Sequence, residues 1–336
     1  MQDVLADLLA QVRARGAALT RDAYAEPRGV RQAAPEPLTL IVAVRGTHWI
    51  TVDAPDADAG PPLALHPGEA ALLRGLGPYT RTRAPGAPPD LVVHGLDHYT
   101  DAAGRPVPGP EVTGTRTCGH PEHPETALVV TGSYSWTGDA GERLLEGLPP
   151  LTRVGAGELP VALVDLLAEE VGIDAPGQEA VLERLLDLAL VRVLRAVFGR
   201  PGAEAPRWWA AQADPVVGRA LRALHRSPSE PWTVSGLAEA AGASRATLAR
   251  RFADLLGESP MAYLADRRMS LAADLLDDPE ATVASVARSV GYRDEFAFST
   301  AFKRLRGRAP SAHRGRAAPE RPQPSGQESA LTESAR

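Results

Sequence analysis

The feature that most constrains this chain is an internal repeat in its last third. The segment "TVSGLAEAAGASRATLARRFADLLGESP" (233–260) lies over "TVASVARSVGYRDEFAFSTAFKRLRGRAP" (282–310). Thr233 and Thr282, Val234 and Val283, Ala238 and Ala287, and Gly242 and Gly291 match at an offset of 49. Leu248 and Phe298, Phe252 and Phe302, Gly257 and Gly307, and Pro260 and Pro310 match at 50, so one extra residue sits in the second copy's turn. A register kept through both halves marks one supersecondary unit used twice.

Each copy predicts the same unit. A Thr caps a short helix of small residues, and Gly242 or Gly291 supplies the turn. Ser244 or Asp294 then caps a second helix that ends near Gly257 or Gly307. This is the pattern of a helix-turn-helix whose second helix can lie in a major groove. In copy one, Leu248, Phe252 and Leu255 form the inward stripe, and Ala246, Thr247, Ala249 and Arg250 point outward. In copy two, Phe298, Phe302 and Leu305 face inward, and Glu295, Ala297, Ser299, Thr300 and Lys303 lie outward or flanking. Phe296 falls off that stripe, so it is either partly buried or free to touch a thymine methyl. Lys303, Arg304 and Arg306 flank the groove-reading face. Between the copies, "SPMAYLADRRMSLAADLL" (259–276) reads as a helix of roughly 27 Å at ~1.5 Å per residue. That length suits two reading helices set about one B-DNA turn, ~34 Å, apart.

At these residues the sequence resembles the AraC/XylS family of bacterial transcription regulators. The linker segment "SPMAYLADRRMSLAADLL" and the stretch "VARSVGYRDEFAFSTAFKRLRGRAPSAHR" are similar to two signatures of that family, and the likeness covers residues 214–316. It departs at His313, where the family usually has an aromatic ring before Arg314. The resemblance implies that Arg250 reads a base, supported by Arg245, Ala246, Thr247 and Ala249. The matching positions in copy two are Glu295, Phe296, Ala297, Ser299 and Thr300, and Arg251, Lys303 and Arg304 would hold phosphates. Family members often carry Arg at the position of Thr300, so copy two is expected to read its bases more weakly. Arg268, inside the linker helix, is either a DNA contact or equally a structural residue packed against an acid such as Asp274, and it is left out of the DNA-binding set. The resemblance also implies double-stranded promoter or operator DNA and an unidentified small-molecule effector as partners, and it admits RNA polymerase.

Charge is consistent with this without proving it. Residues 214–316 carry 16 Arg/Lys against 12 Asp/Glu, within a chain of net charge -6. So small an excess matters only if the positive charges share a face. The longest apolar run, "LLDLALVRVL" (185–194), is interrupted by Asp187 and Arg192 and is too short to span a bilayer. The N-terminal "MQDVLADLLAQVRARG" reads as an amphipathic helix rather than a signal peptide. Cys118 is the one cysteine of the chain, so no intramolecular disulfide forms, and a cytoplasmic location without membrane partners is expected.

Residues 38–136 are rich in Gly, Pro and β-branched residues, and "LTLIVAVRG", "HWITVD", "LALHPGEAALLRG", "DLVVHGL" and "TALVVTGSYSW" read as strands of a sandwich or barrel. The segment 46–79 resembles a cupin, with Gly68 opening its second half and Pro78 near the end. Metal-binding cupins place a His after that Pro and an H-x-H pair earlier. Here Tyr79 follows Pro78, and Trp49 and Ile50 follow His48, so the usual three-His metal site is absent and no cofactor is expected. With no Ser-His-Asp or phosphate-loop pattern either, an enzyme is not expected. A metal-dependent cupin enzyme fused to a DNA-binding module is the weaker alternative. A second alternative is a redox- or metal-responsive regulator sensing through Cys118, His120 and His123 in "CGHPEHPE", with His94 and His98 as neighbours, set against a plain polar loop.

The expected fold is therefore α+β and multidomain: an N-terminal cupin-like β-barrel with flanking helices, then an all-α domain of two helix-turn-helix subdomains joined by a linker helix. The expected division is 1–158 for the sensing domain, 159–213 for a helical linker, 214–316 for the DNA-binding domain and 317–336 for a disordered tail. In the linker, Val181, Leu185, Leu188 and Val191 or Arg192 form a stripe that serves either a homodimer seam or core packing. Trp208 and Trp209 are expected to pack at the junction rather than stack on a base.

Overall fold

The structure is a computed structural model, and it describes residues 4–11, 19–24, 29–34, 36–53, 61–75, 77–95, 98–114, 116–123, 126–135, 141, 144–146, 148–203 and 205–314. The expected tail, 317–336, lies outside these. The described chain divides into two units, 4–227 with 232–262, and 228–231 with 263–314.

In the first unit, α1 (Val4–Gln11) precedes thirteen described strands. These are β1 (Leu19–Tyr24), β2 (Val30–Gln32), β3 (Leu38–Arg45), β4 (His48–Val52), β5 (Leu63–Leu65), β6 (Ala70–Arg74), β7 (Tyr79–Thr82), β8 (Leu91–Gly95), β9 (His98–Thr100), β10 (Val112–Gly114), β11 (Thr117–Gly119), β12 (Ala127–Tyr134) and β13 (Leu151–Val154). They form two sheets, ordered β10-β11-β1-β12-β3-β6-β13 and β5-β4-β7-β2-β8-β9. Ile41, Ala71, Leu73 and Val129 from the first sheet and Ile50, Val52, Leu65 and Tyr79 from the second bury one shared core. β3 and β6 are buried on both faces because helices cover the outside of their sheet. Those helices are α2 (Val161–Glu170) and α3 (Gln178–Phe198). The Tyr134 hydroxyl donates to the Leu186 carbonyl at 2.9 Å, and an Arg21 Nη1 donates to the Ala168 carbonyl at 3.1 Å, which ties the helices to the sheet. Leu185 is buried in this packing, whereas Val181 and Leu188 stay exposed, so the proposed seam is not one uniform stripe.

α4 (Arg207–Ala213), α5 (Val217–Arg226), α6 (Val234–Ala240) and α7 (Arg245–Leu256) complete the unit. Trp208 is buried edge-on to Phe198 and Trp209 is half-buried beside both, so both indoles are core for α4. α1 buries Val4, Leu5 and Leu8 and packs on α4 and α5.

α8 (Pro260–Leu276) opens on Pro260, where proline's missing N–H costs nothing, and Ser259 accepts from the Ala262 amide at 3.2 Å. The second unit then adds α9 (Val283–Ser289), α10 (Glu295–Arg306) and α11 (Pro310–Arg314). Its core is Met269, Ala272, Ala273, Leu276, Val286, Ala287, Val290, Phe298 and Phe302. His313 stands edge-on to Phe302 at 5.6 Å, so an imidazole fills the place of the expected aromatic ring.

Arg268 is half-buried, and its hydrogen-bond partners are backbone rather than Asp274. Its Nε donates to the Pro228 carbonyl and an Nη2 to the Glu230 carbonyl, both at 2.7 Å, and its guanidinium lies over Tyr292 at 5.7 Å. Arg268→Ala should leave those carbonyls without a charged donor and free the 228–231 segment. We expect a loss of about 2–4 kcal/mol from two hydrogen bonds to a charged group, read by thermal unfolding.

Candidate nucleic-acid interface

Both reading helices are held at their first turn by a side chain. Ser244 Oγ accepts from the Thr247 amide at 3.2 Å, and the Asp294 carboxylate accepts from the Phe296 and Ala297 amides at 3.1 and 3.0 Å. The preceding helices start on Thr233 and Thr282, each accepting from the amide three residues on. Gly242 and Gly291 make the turns with φ of 63° and 83°, and Gly257 and Gly307 end the second helices with φ of 80° and 74°. The local chemistry of the repeat thus builds both motifs as the sequence predicts.

Leu248 and Phe252 anchor the inner side of α7, which leaves Arg245, Ala246, Ala249 and Arg250 exposed and Thr247 half-exposed. Arg250 is 70% exposed and lies 3.6 Å from Asp254 one turn on. An exposed pair of this kind is worth only ~0.3–0.5 kcal/mol, so the guanidinium can exchange it for a stronger partner. On α10, Phe298 and Phe302 face inward, while Glu295, Phe296, Ala297, Thr300, Lys303 and Arg304 are exposed and Ser299 is half-buried. Phe296 is 84% exposed, which removes the partly buried alternative.

Two of the basic residues pair with acids. Arg251, assigned to phosphate, donates from Nη1 to Asp214 at 3.1 Å. Asp214 in turn accepts the Val216 and Val217 amides that begin α5. Burial would raise that carboxyl, yet the two amides and the Arg251 charge hold it below its ordinary value. Arg251 therefore fastens α7 to the start of α5. Arg306, expected at the groove flank, is half-buried and donates to Asp266 Oδ1, the Asp266 carbonyl and Ser270 Oγ at 3.0, 3.1 and 2.8 Å.

In the β-sandwich, Asp22, His48, Arg81, Thr82, Arg83, Ala127 and Val129 line a cavity of about 10 Å³, room for a single water. Arg81 donates to Asp22 at 2.6 Å, and His48 Nε2 is buried without a hydrogen-bond partner. Burial first, then the Arg81 charge, pushes the His48 pKa down to about 3, so the imidazole is neutral. Sequence reading missed this interior polar group, because Asp22 and Arg81 lie in strands whose alternation it hides.

Cys118 is half-buried, and burial, then the neighbouring Asp22 carboxylate, pushes its pKa up to about 11. A selectively reactive thiol needs the opposite shift. His94 and His98 stack on each other at 4.6 Å and join no cluster of three ligands among the described residues. His120 and His123 do come together, with Glu122 between them, a ligand present in the sequence spacing but passed over there.

A family model described as a cupin matches residues 3–199, and one described as a helix-turn-helix domain matches 237–316. The chain belongs to the cupin family, and its residues 237–316 match a helix-turn-helix domain. A putative AraC-like transcription regulator of Streptomyces lividans is 39% identical over 195 residues, 56% of this chain and 64% of that protein. The transcriptional regulator AlkR of Acinetobacter baylyi is 32% identical over 181 residues, 52% of this chain and 58% of that one. Both matches span less than two thirds of the relative's length. Among solved structures, the DNA-binding domain of AdpA in complex with a target DNA is 33% identical, covers 31% of this chain and 92% of that chain, and has a TM-score of 0.29. No described helix is long and apolar enough to cross a membrane.

Proposed function

We propose that the chain is a sequence-specific DNA-binding transcription regulator, acting in the cytoplasm and not as an enzyme. In this reading residues 1–158 sense an effector, 159–213 link, and 214–316 bind DNA. The observation that carries it is the outer side of α7. Small residues, Ala246 and Ala249, alternate with exposed Arg245 and Arg250 just past a capped helix start. Small side chains let a helix approach base edges closely, and Arg can pair two-pronged with guanine. Each lobe would enter its own major groove, with Lys303 and Arg304 on phosphates. The protein's own partners would be operator DNA, an effector in the cupin domain, RNA polymerase, and a second copy through Val181 and Leu188.

Selection of bound sites from random DNA tests this. A recovered motif is expected, with affinity that falls steeply as salt rises. Binding with no sequence preference would overturn the reading.

Phe296 gives a sharper expectation. An aromatic ring this exposed, one residue into α10, can reach a thymine methyl. Replacing thymine by uracil in the half-site read by copy two should weaken binding by about 3- to 10-fold, on the order of 1 kcal/mol for a buried methyl. Phe296→Ala should bind the two DNAs equally; a uracil effect that survives in that variant would reassign the methyl contact.

A further inference from the structure

We propose that His120, Glu122 and His123 form a binding site for a borderline divalent cation of the Zn2+ type on the cupin domain. One ligand atom from each residue lies within 4.8 Å of the others. His120 Nδ1 and His123 Nε2 both face Glu122 Oε1, at 3.1 and 3.8 Å. Two imidazoles and one carboxylate are a donor set that suits Zn2+ and leaves a position open. Bonds of about 2.0–2.2 Å place tetrahedral ligands roughly 3.3–3.5 Å apart, so side-chain adjustments of about an ångström close the site.

Two further features favour a ligand over a chance cluster. The second nitrogen of His120, Nε2, lies 3.4 Å from Glu111 Oε2. A carboxylate behind a ligating imidazole fixes its tautomer and ring plane and raises its basicity. The loop itself is pinned by Arg45, whose Nη2 donates to the Pro121 and His123 carbonyls at 2.9 and 3.0 Å and whose Nε donates to the Thr126 carbonyl at 2.6 Å. The His120 amide also donates to the Ala23 carbonyl at 3.1 Å, at the end of β1. The ligands therefore start from a fixed backbone, which lowers the ordering cost of capture. Cys118 is not among them, because its thiol is turned to Asp22. This cation site is separate from the usual cupin position, which Tyr79 and the His48 segment leave without its histidines.

The test is competition between the purified full chain and a chromophoric chelator for Zn2+ at neutral pH. One tight equivalent is expected. His120→Ala and His123→Ala should each weaken it by at least ~10-fold, and Glu111→Gln, a positioning change, by about 10-fold. Cys118→Ser and the His94→Ala/His98→Ala pair should leave it unchanged. Glu122→Gln, which keeps side-chain size, should also weaken capture and guards against misfolding of the alanine variants. Absence of a tight equivalent, its persistence in the His120→Ala/His123→Ala double variant, or its loss in Cys118→Ser would each overturn the site. No DNA enters the assay, so its outcome is independent of the regulator reading.

Discussion

Gly291→Ala should unfold the second helical unit at temperatures where Gly242→Ala leaves the first intact. The two glycines occupy the same step of the repeat and both have positive φ, 83° and 63°. Any L-residue there costs on the order of 1–2 kcal/mol. Gly242 faces little else, since an added Cβ would meet Arg219 Nη2 at 3.5 Å, the movable end of a side chain. Gly291 is pressed on backbone, where the same Cβ would lie 2.8 Å from both Cα and the carbonyl carbon of Ser229. Arg268 holds that segment through the Pro228 and Glu230 carbonyls, so it cannot simply retreat. Overpacking adds about 1–3 kcal/mol to the conformational cost, for a total of roughly 2–5 kcal/mol. Limited proteolysis with mass mapping checks it: cleavage should concentrate in 263–314 for Gly291→Ala only. Equal protection of the two variants would show that the Ser229 approach is soft.

Aligned repeats made these glycines look alike in sequence, and the difference comes from a segment 62 residues earlier. The same division runs through the whole chain. Caps, turns and inward stripes of the helical repeat were legible because each depends on residues within four positions. Strands β3 and β12 were legible as continuous apolar runs, being buried on both sides. Strands β1 (LTRDAY) and β7 (YTRT) were not, because Asp22 and Arg81 neutralise each other across the fold and so allow polar residues to be buried. At the interface, exposure of Arg245, Ala246, Ala249 and Arg250 followed from helical period alone. The pairing of Arg251 with Asp214 and of Arg306 with Asp266 did not, since these acids lie 37 and 40 residues away. For the metal cluster, the histidine spacing was visible, but Glu111 and Arg45 come from other strands and loops.

Arg250→Ala should weaken binding to the selected operator by about 10- to 100-fold, while binding to random DNA changes little. A two-pronged Arg–guanine pair contributes roughly 1–3 kcal/mol of discrimination, and that is lost only where the guanine is present. The folded state gives up little, because the Arg250–Asp254 pairing it displaces is exposed and weak. Arg250→Lys separates charge from geometry: Lys keeps the positive charge but cannot reproduce the fork, so operator binding should stay low while nonspecific binding returns. Arg251→Ala is the structural counterpart, since it removes the tie to Asp214 at the start of α5 and should lower the melting temperature of the free protein. Filter binding on operator and random duplexes across a salt series distinguishes them. Equal losses on both DNAs for Arg250→Ala would make that residue a phosphate contact, and full rescue by Lys would rule out the fork.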